Sequence, residues 1–214
     1  MFCRSFILLP RYRFLVLLSP LILSLTACSV NITSPIEVPE LAPVTLGEKT
    51  EAVVDLVPIV FDSVLDGRSQ KPVVVDSDGQ AAFFADGIST QVRKAIESVF
   101  ELHGLEPGSN GDSAIVNLEI RTWEAEVTGS FPQEVTAEAE LYIEVLNSSE
   151  MRIRSGKYVG VARRTSIFGF SSDVDKALAE AMNEAILQVN SDRDFFKAVK
   201  HPNTDMNPTR RSKR

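Results

Sequence analysis

Between Val135 and Val145 the chain alternates without interruption. Val135, Ala137, Ala139, Leu141, Ile143 and Val145 are apolar, while Thr136, Glu138, Glu140, Tyr142 and Glu144 are polar or amphipathic. Side chains along a β-strand point to opposite faces with period two, so this stretch specifies a strand buried on one face and wetted on the other. Val116, Leu118 and Ile120 alternate with Asn117, Glu119 and Arg121 before it, and a third strand, Met151 to Arg163, follows the turn Asn147-Ser148-Ser149-Glu150. Three long strands in succession predict an antiparallel meander. In that register Arg152 and Arg154 pair across with the glutamates, and Gly156 and Gly160 mark bulges.

Two segments change period. From Asp86 to His103, Ile88, Val92, Ala95, Ile96, Val99 and Leu102 fall on one helical stripe, and Gly104 supplies the left-handed residue that ends the helix. His103, in the last turn, is placed to favour the helix dipole when protonated. From Asp173 to Asn190, Val174, Ala177, Leu178, Ala181, Ala185, Ile186 and Val189 form a second stripe, with Ser172 and Asp175 spaced as a capping box. Asp194-Phe195-Phe196 begins a short terminal turn. Earlier, Ala52 to Phe61 reads as a first strand, with Pro58 at an edge or bulge, and Val73-Val74-Val75 as a short extended piece. The order predicts an α+β two-layer sandwich: a mostly antiparallel sheet with two helices packed on one face, and rows of Glu and Arg on the other.

The first 50 residues follow neither period. Arg4, Arg11 and Arg13 precede the apolar run Phe14–Leu25, which at about a dozen residues is shorter than the roughly 20 a spanning helix needs. Residues 1–27 therefore read as a signal peptide. Leu25-Thr26-Ala27-Cys28 resembles the lipobox of bacterial lipoproteins, with Leu three residues before the Cys and small residues between. The resemblance implies diacylglyceryl transfer to the Cys28 thiol, cleavage before it, and acylation of the new amino terminus by a fatty acid such as palmitate. Ser29, in place of the Asp that retains such proteins at the inner membrane, implies an outer-membrane location facing the periplasm. Residues 28–50 carry Pro35, Pro39 and Pro43, one every four residues. They read as an extended tether, or as a loop laid along the domain surface, with Val30, Ile32, Ile36, Val38 and Leu41 apolar enough to dock. Residues 51–200 form a single domain, and 201–214 a basic tail read as a disordered end.

Composition narrows the function. The leader holds three arginines and no acid, so the remainder has 19 basic against 29 acidic residues and a net charge of −10. Nucleic-acid binding needs a basic footprint and is not expected. Cys3 leaves with the leader and Cys28 is the anchor, which leaves no thiol for a disulfide, a nucleophile or a metal; His103 and His201 are the only histidines. Glu138, Glu140 and Glu144 sit on a solvated sheet face opposite arginines, the pattern of a charged surface, and no G-x-S-x-G elbow is present. No catalytic, cofactor-binding or metal-binding residue is assigned. The domain reads as a non-enzymatic module, membrane-anchored through Cys28, that binds another envelope protein or the cell wall. An auxiliary lipoprotein of an envelope lipid-transport system, which would need an apolar groove, is the alternative. Trp123, whose register sets it on the face opposite Val116, Leu118 and Ile120, and Phe168 and Phe170 around Gly169 are the candidate partner contacts.

Several of these features recur together in one known group. The lipobox, the Pro-punctuated arm, the first strand with Asp62 and Arg68 near its end, His103-Gly104-Leu105, Ala114-Ile115-Val116-Asn117-Leu118 and the closing helix with Phe195-Phe196 resemble the YajG-type bacterial lipoproteins. The long leader and the tail after Pro202 depart from that pattern. The resemblance implies a location and a fold, not an activity.

Overall fold

The expected meander is present and forms the spine of the domain. A computed structural model describes residues 38–42, 57–68, 73–75, 81–82, 84, 87–108, 113–167 and 170–201. In chain order the elements are β1 (Val57–Asp66), β2 (Val74–Val75), β3 (Ala81–Ala82), α1 (Ile88–Leu102), β4 (Leu105–Pro107), β5 (Ala114–Thr128), β6 (Gln133–Leu146), β7 (Arg152–Ser166), α2 (Phe170–Ser191) and α3 (Arg193–Lys200). The first strand expected from Ala52 is described from Val57 onward. Strands β5, β6 and β7 pair antiparallel, with Leu118 opposite Ile143 and Leu141 opposite Tyr158. All six apolar residues of the Val135–Val145 alternation are fully buried.

The sheet is mixed, however: beside the long antiparallel run it carries parallel pairs that the pattern does not announce. Strand β1 runs parallel to β5 on one side and to β4 on the other, and β2 also runs parallel to β5. Direction follows from connectivity: β1 and β4 flank α1, and a crossover through a helix returns the chain parallel. Period-two alternation fixes which face a residue takes, not which way its neighbour runs. The sheet also curls into a half-barrel instead of lying flat in a sandwich. Registers shift at Phe61/Ser63, Ile120/Thr122 and Val145/Leu146, and each such bulge adds local twist.

Among the described residues three helices, not two, accompany the sheet. In α1 the buried stripe is Ile88, Val92, Ile96, Val99 and Phe100, with Ala95 and Leu102 only part-buried at its margin. Gly104 has φ +73° and turns the chain into β4, as expected of a left-handed cap. Helix α2 begins at Phe170, so Ser172 lies within its first turn and does not cap it. Its alanines let it lie directly on the sheet. The stretch around Phe195-Phe196 is the two-turn helix α3, capped by Asp192, whose side chain accepts from the Phe195 N–H at 2.9 Å. Phe195 and Phe196 pack edge-on against Phe100, which in turn meets Phe61, and this aromatic knot joins α1, α3 and β1.

Candidate functional site

Trp123 is not a surface contact. It is fully buried, on the same face as Val116, Leu118 and Ile120. The bulge between Ile120 and Thr122 inserts one residue into β5 and moves every later side chain to the other face. The indole Nε1–H donates to the Leu178 carbonyl of α2 at 3.0 Å, and Phe84 tilts against the ring at 4.6 Å. Beside it lies Arg68, which is only 8% exposed. Its guanidinium makes a bidentate pair with Asp66 at 2.8 and 2.7 Å, donates to the Trp123 carbonyl at 3.2 Å, and stands 5.0 Å from the Phe84 ring. Hydrogen bonds from Arg68 hold the Asp66 carboxyl below the usual range, against the opposing effect of burial. Pairing of this kind engages three of the five guanidinium N–H donors of Arg68. It locks the β1 end onto β5.

His103 is likewise engaged. Its ring stacks on Phe196 with centroids 3.7 Å apart, and its Nε2 lies 3.0 Å from the Asn190 carbonyl and 3.1 Å from Asn190 Oδ1. Burial pushes its pKa down, outweighing the Asn190 hydrogen bonds that favour the charged ring, and Lys200 and Arg193 add to the depression. The neutral ring, with Nε2–H donating to Asn190, is the form the fold selects. The helix-dipole role, which needs the cation, is therefore replaced by a staple between the ends of α1 and α2.

The outer face of β5–β7 carries the expected charge rows. Lys157 Nζ meets Glu140 at 2.7 Å, Arg121 meets Glu119 at 2.9 Å, and Arg152 meets Glu144 at 3.7 Å. The Arg121 guanidinium also covers the Tyr142 ring at 4.0 Å. Arg154 instead lies opposite Val145, in the same unbroken register that pairs Glu144 with Ser155, and the bulge that follows sets Arg152 opposite Leu146. Glu124 stands directly opposite Glu138. At the far end of the same three strands, Glu134, Val135, Thr136, Arg163, Arg164 and Thr165 line a shallow hollow of about 190 Å³. Its lining is mixed, with Val135 among charged and hydroxyl-bearing side chains, and it is small and open for a lipid-carrying groove. Among the described residues, no three His, Cys, Asp or Glu converge on a metal position, and no helix is long and apolar enough to cross a membrane.

Cys28 and Phe168 lie outside the described residues, as do the leader and the tail beyond His201. Phe170 is placed by its backbone as the first residue of α2, and its side chain is outside the description. The structure also describes residues 38–42, for which the sequence allows either a tether or a docked loop. Val38 and Leu41 are part-buried against the core. Gln91 Nε2 of α1 donates to the Val38 carbonyl at 3.4 Å, and the Ala42 N–H donates to Asn183 Oδ1 of α2 at 3.1 Å. Residues 38–42 are thus laid on the domain surface, not held off it as an arm. Gln91 and Asn183, half-buried amides at the flanks of their stripes, were the available signal.

Comparison with known proteins places the fold and no more. The chain is similar to a Xanthomonas campestris protein of family DUF330, with 13% identity over 73% of this chain and 92% of that one, at a TM-score of 0.50. It is also similar, more distantly, to a minor lipoprotein of Acinetobacter baumannii, with 8% identity over 47% of this chain and 80% of that one, at a TM-score of 0.40. No family model matches the sequence, and neither does any curated protein.

Proposed function

We propose that this chain is a lipid-anchored envelope lipoprotein whose domain is a non-enzymatic binding or structural module. The observation that carries the reading is Cys28, placed by Leu25-Thr26-Ala27 behind a basic, then apolar, leader. Two or more acyl chains hold a protein on a bilayer where one holds it only marginally, so modification of this single residue would decide the protein's location. The domain agrees with a scaffold more than a catalyst: His103, Arg68 and Trp123, its most reactive or distinctive side chains, are all committed to internal contacts. Delivery to the outer membrane follows from Ser29, and kinship with the YajG-type lipoproteins from the order of the sequence motifs; both belong to this proposal. The partner surface is the outer face of β5–β7, not Trp123.

The test is metabolic labelling of cells with an alkyne fatty acid, followed by membrane fractionation. Wild-type protein is expected to carry the label and sediment with outer membranes. Cys28→Ser is expected to lose the label and become soluble. Unlabelled wild-type protein, or label retained by Cys28→Ser, overturns the reading.

A further inference from the structure

Helix α2 guards only part of the free edge of β7. Among the described residues β7 pairs with β6 alone, so its other edge meets no strand. Gln188 takes the N–H and the carbonyl of Val159, and Glu184, one turn earlier, takes the N–H of Val161. One turn earlier again stands Glu180, but the Arg164 guanidinium holds it, with Nε donating at 3.1 Å. The guarding therefore stops at Val161. Backbone groups along an antiparallel strand point alternately to one neighbour and the other. Arg163 and Thr165 thus turn their N–H and C=O outward, as Val159 and Val161 do. Both are exposed, and the flanking Val161 and Ile167 are 44% and 55% exposed. An open stretch of edge with an apolar residue at either end is a template for another strand.

We propose that this open stretch pairs antiparallel with the same stretch of a second copy of the chain. Val161 and Ile167 stand equally far from Arg164, three residues to either side. A two-fold axis at Arg164 therefore sets each Val161 opposite the Ile167 of the other copy, and covers both. It also sets Arg163 opposite Thr165, and each of these residues exchanges both of its hydrogen bonds across the axis. The charges fit the same register. Among the described residues neither Arg163 nor Glu134 has an ion pair. Glu134 lies opposite Thr165 in its own ladder, at the hollow that Thr136 and Thr165 also line. Arg163 of one copy, passing over the small Thr165 of the other, enters that hollow and reaches Glu134. Because α2 occupies the Val161 N–H, pairing cannot run further along the edge, and the overlap is confined to this register. Joined in this way, the β5–β7 runs of two copies form one continuous sheet with a shared outer face.

The test uses the full-length chain in cells and does not depend on the reading of Cys28. Two forms that differ in their epitope tag are co-expressed, each with an apolar photo-crosslinking amino acid in place of Ile167. Irradiation is expected to give a product that carries both tags, with the link mapped by mass spectrometry to Val161 or its immediate neighbours. Thr165→Pro removes an outward N–H while leaving the β6 ladder intact, and should abolish the product. Arg163→Glu should abolish it too, and adding Glu134→Arg should restore it, an outcome that a misfolded variant cannot give. Absence of a doubly tagged product, a link mapped elsewhere on the chain, or a product undiminished by either single variant overturns the inference. A link from position 167 to a different protein also overturns it, since the edge then belongs to another partner.

Discussion

At Gly160 the strand β7 has no side chain to hold α2 away, and α2 takes the space. A Cβ built there would collide with the Ala181 carbonyl and come within 2.6 Å of the Ala185 nitrogen, both backbone atoms of a helix that cannot step aside alone. The β6–β7 ladder runs straight through this position, so Gly160 marks a close approach and not the bulge expected from sequence. Gly160→Ala should therefore destabilise the domain by about 1–3 kcal/mol or more, read as a fall in the urea midpoint. An unchanged midpoint would mean that α2 is not seated on β7. His103 gives a second test, with a sign that follows from its environment. Because its pKa is lowered in the folded state, the unfolded chain binds the proton more readily. Its contribution is fully present above the unfolded value of about 6.5, and is lost as pH falls through the depressed folded value. Urea unfolding at pH 7.5 and 5.0 should show wild type losing stability that His103→Phe, which keeps the stack on Phe196 but cannot titrate, does not lose.

An edge strand with unpaired N–H and C=O groups invites pairing with another chain, and β7 is the edge of the long antiparallel run. Helix α2 answers this with side chains. Gln188 accepts from the Val159 N–H at 3.2 Å and donates to the Val159 carbonyl at 2.7 Å, acting as a one-residue strand, and Glu184 accepts from the Val161 N–H at 3.0 Å. Val161 itself is 44% exposed, so an uncovered edge would be both open and apolar. Gln188→Ala should cost about 1 kcal/mol in stability and, more diagnostically, raise self-association in sedimentation velocity. A monomer at every concentration would show that the edge is protected by other means. None of this was legible from periodicity. Alternation located β5, β6 and β7, and helical spacing located α1 and α2, because those patterns encode a single buried face. Pairing direction, the Ile120/Thr122 bulge that turned Trp123 inward, and the amides that cover an edge or a strap depend on which elements become neighbours. The leader and Cys28, by contrast, are legible only as sequence, since they lie outside the described residues.

Taken whole, the domain has two unlike faces, and residues 38–42 belong to one of them. The outer sheet face is held by exposed ion pairs, each worth about 0–1 kcal/mol, and its charges set what it attracts more than how well it folds. The helix face is apolar enough that Val38 and Leu41 add to its burial. A chain beginning at Gly47 would uncover that footprint. With part-burial of two aliphatic side chains, the loss should be about 1–3 kcal/mol. For a domain of this size that lowers the melting temperature by roughly 2–4 °C per kcal/mol. Charge reversal on the outer face, Glu138→Lys, should by comparison leave the melting temperature within about 1 °C, since it breaks no buried contact. Differential scanning calorimetry of the two variants separates the faces. If the truncation leaves the melting temperature unchanged while Glu138→Lys lowers it, stability resides in the outer charge rows and residues 38–42 are not part of the fold.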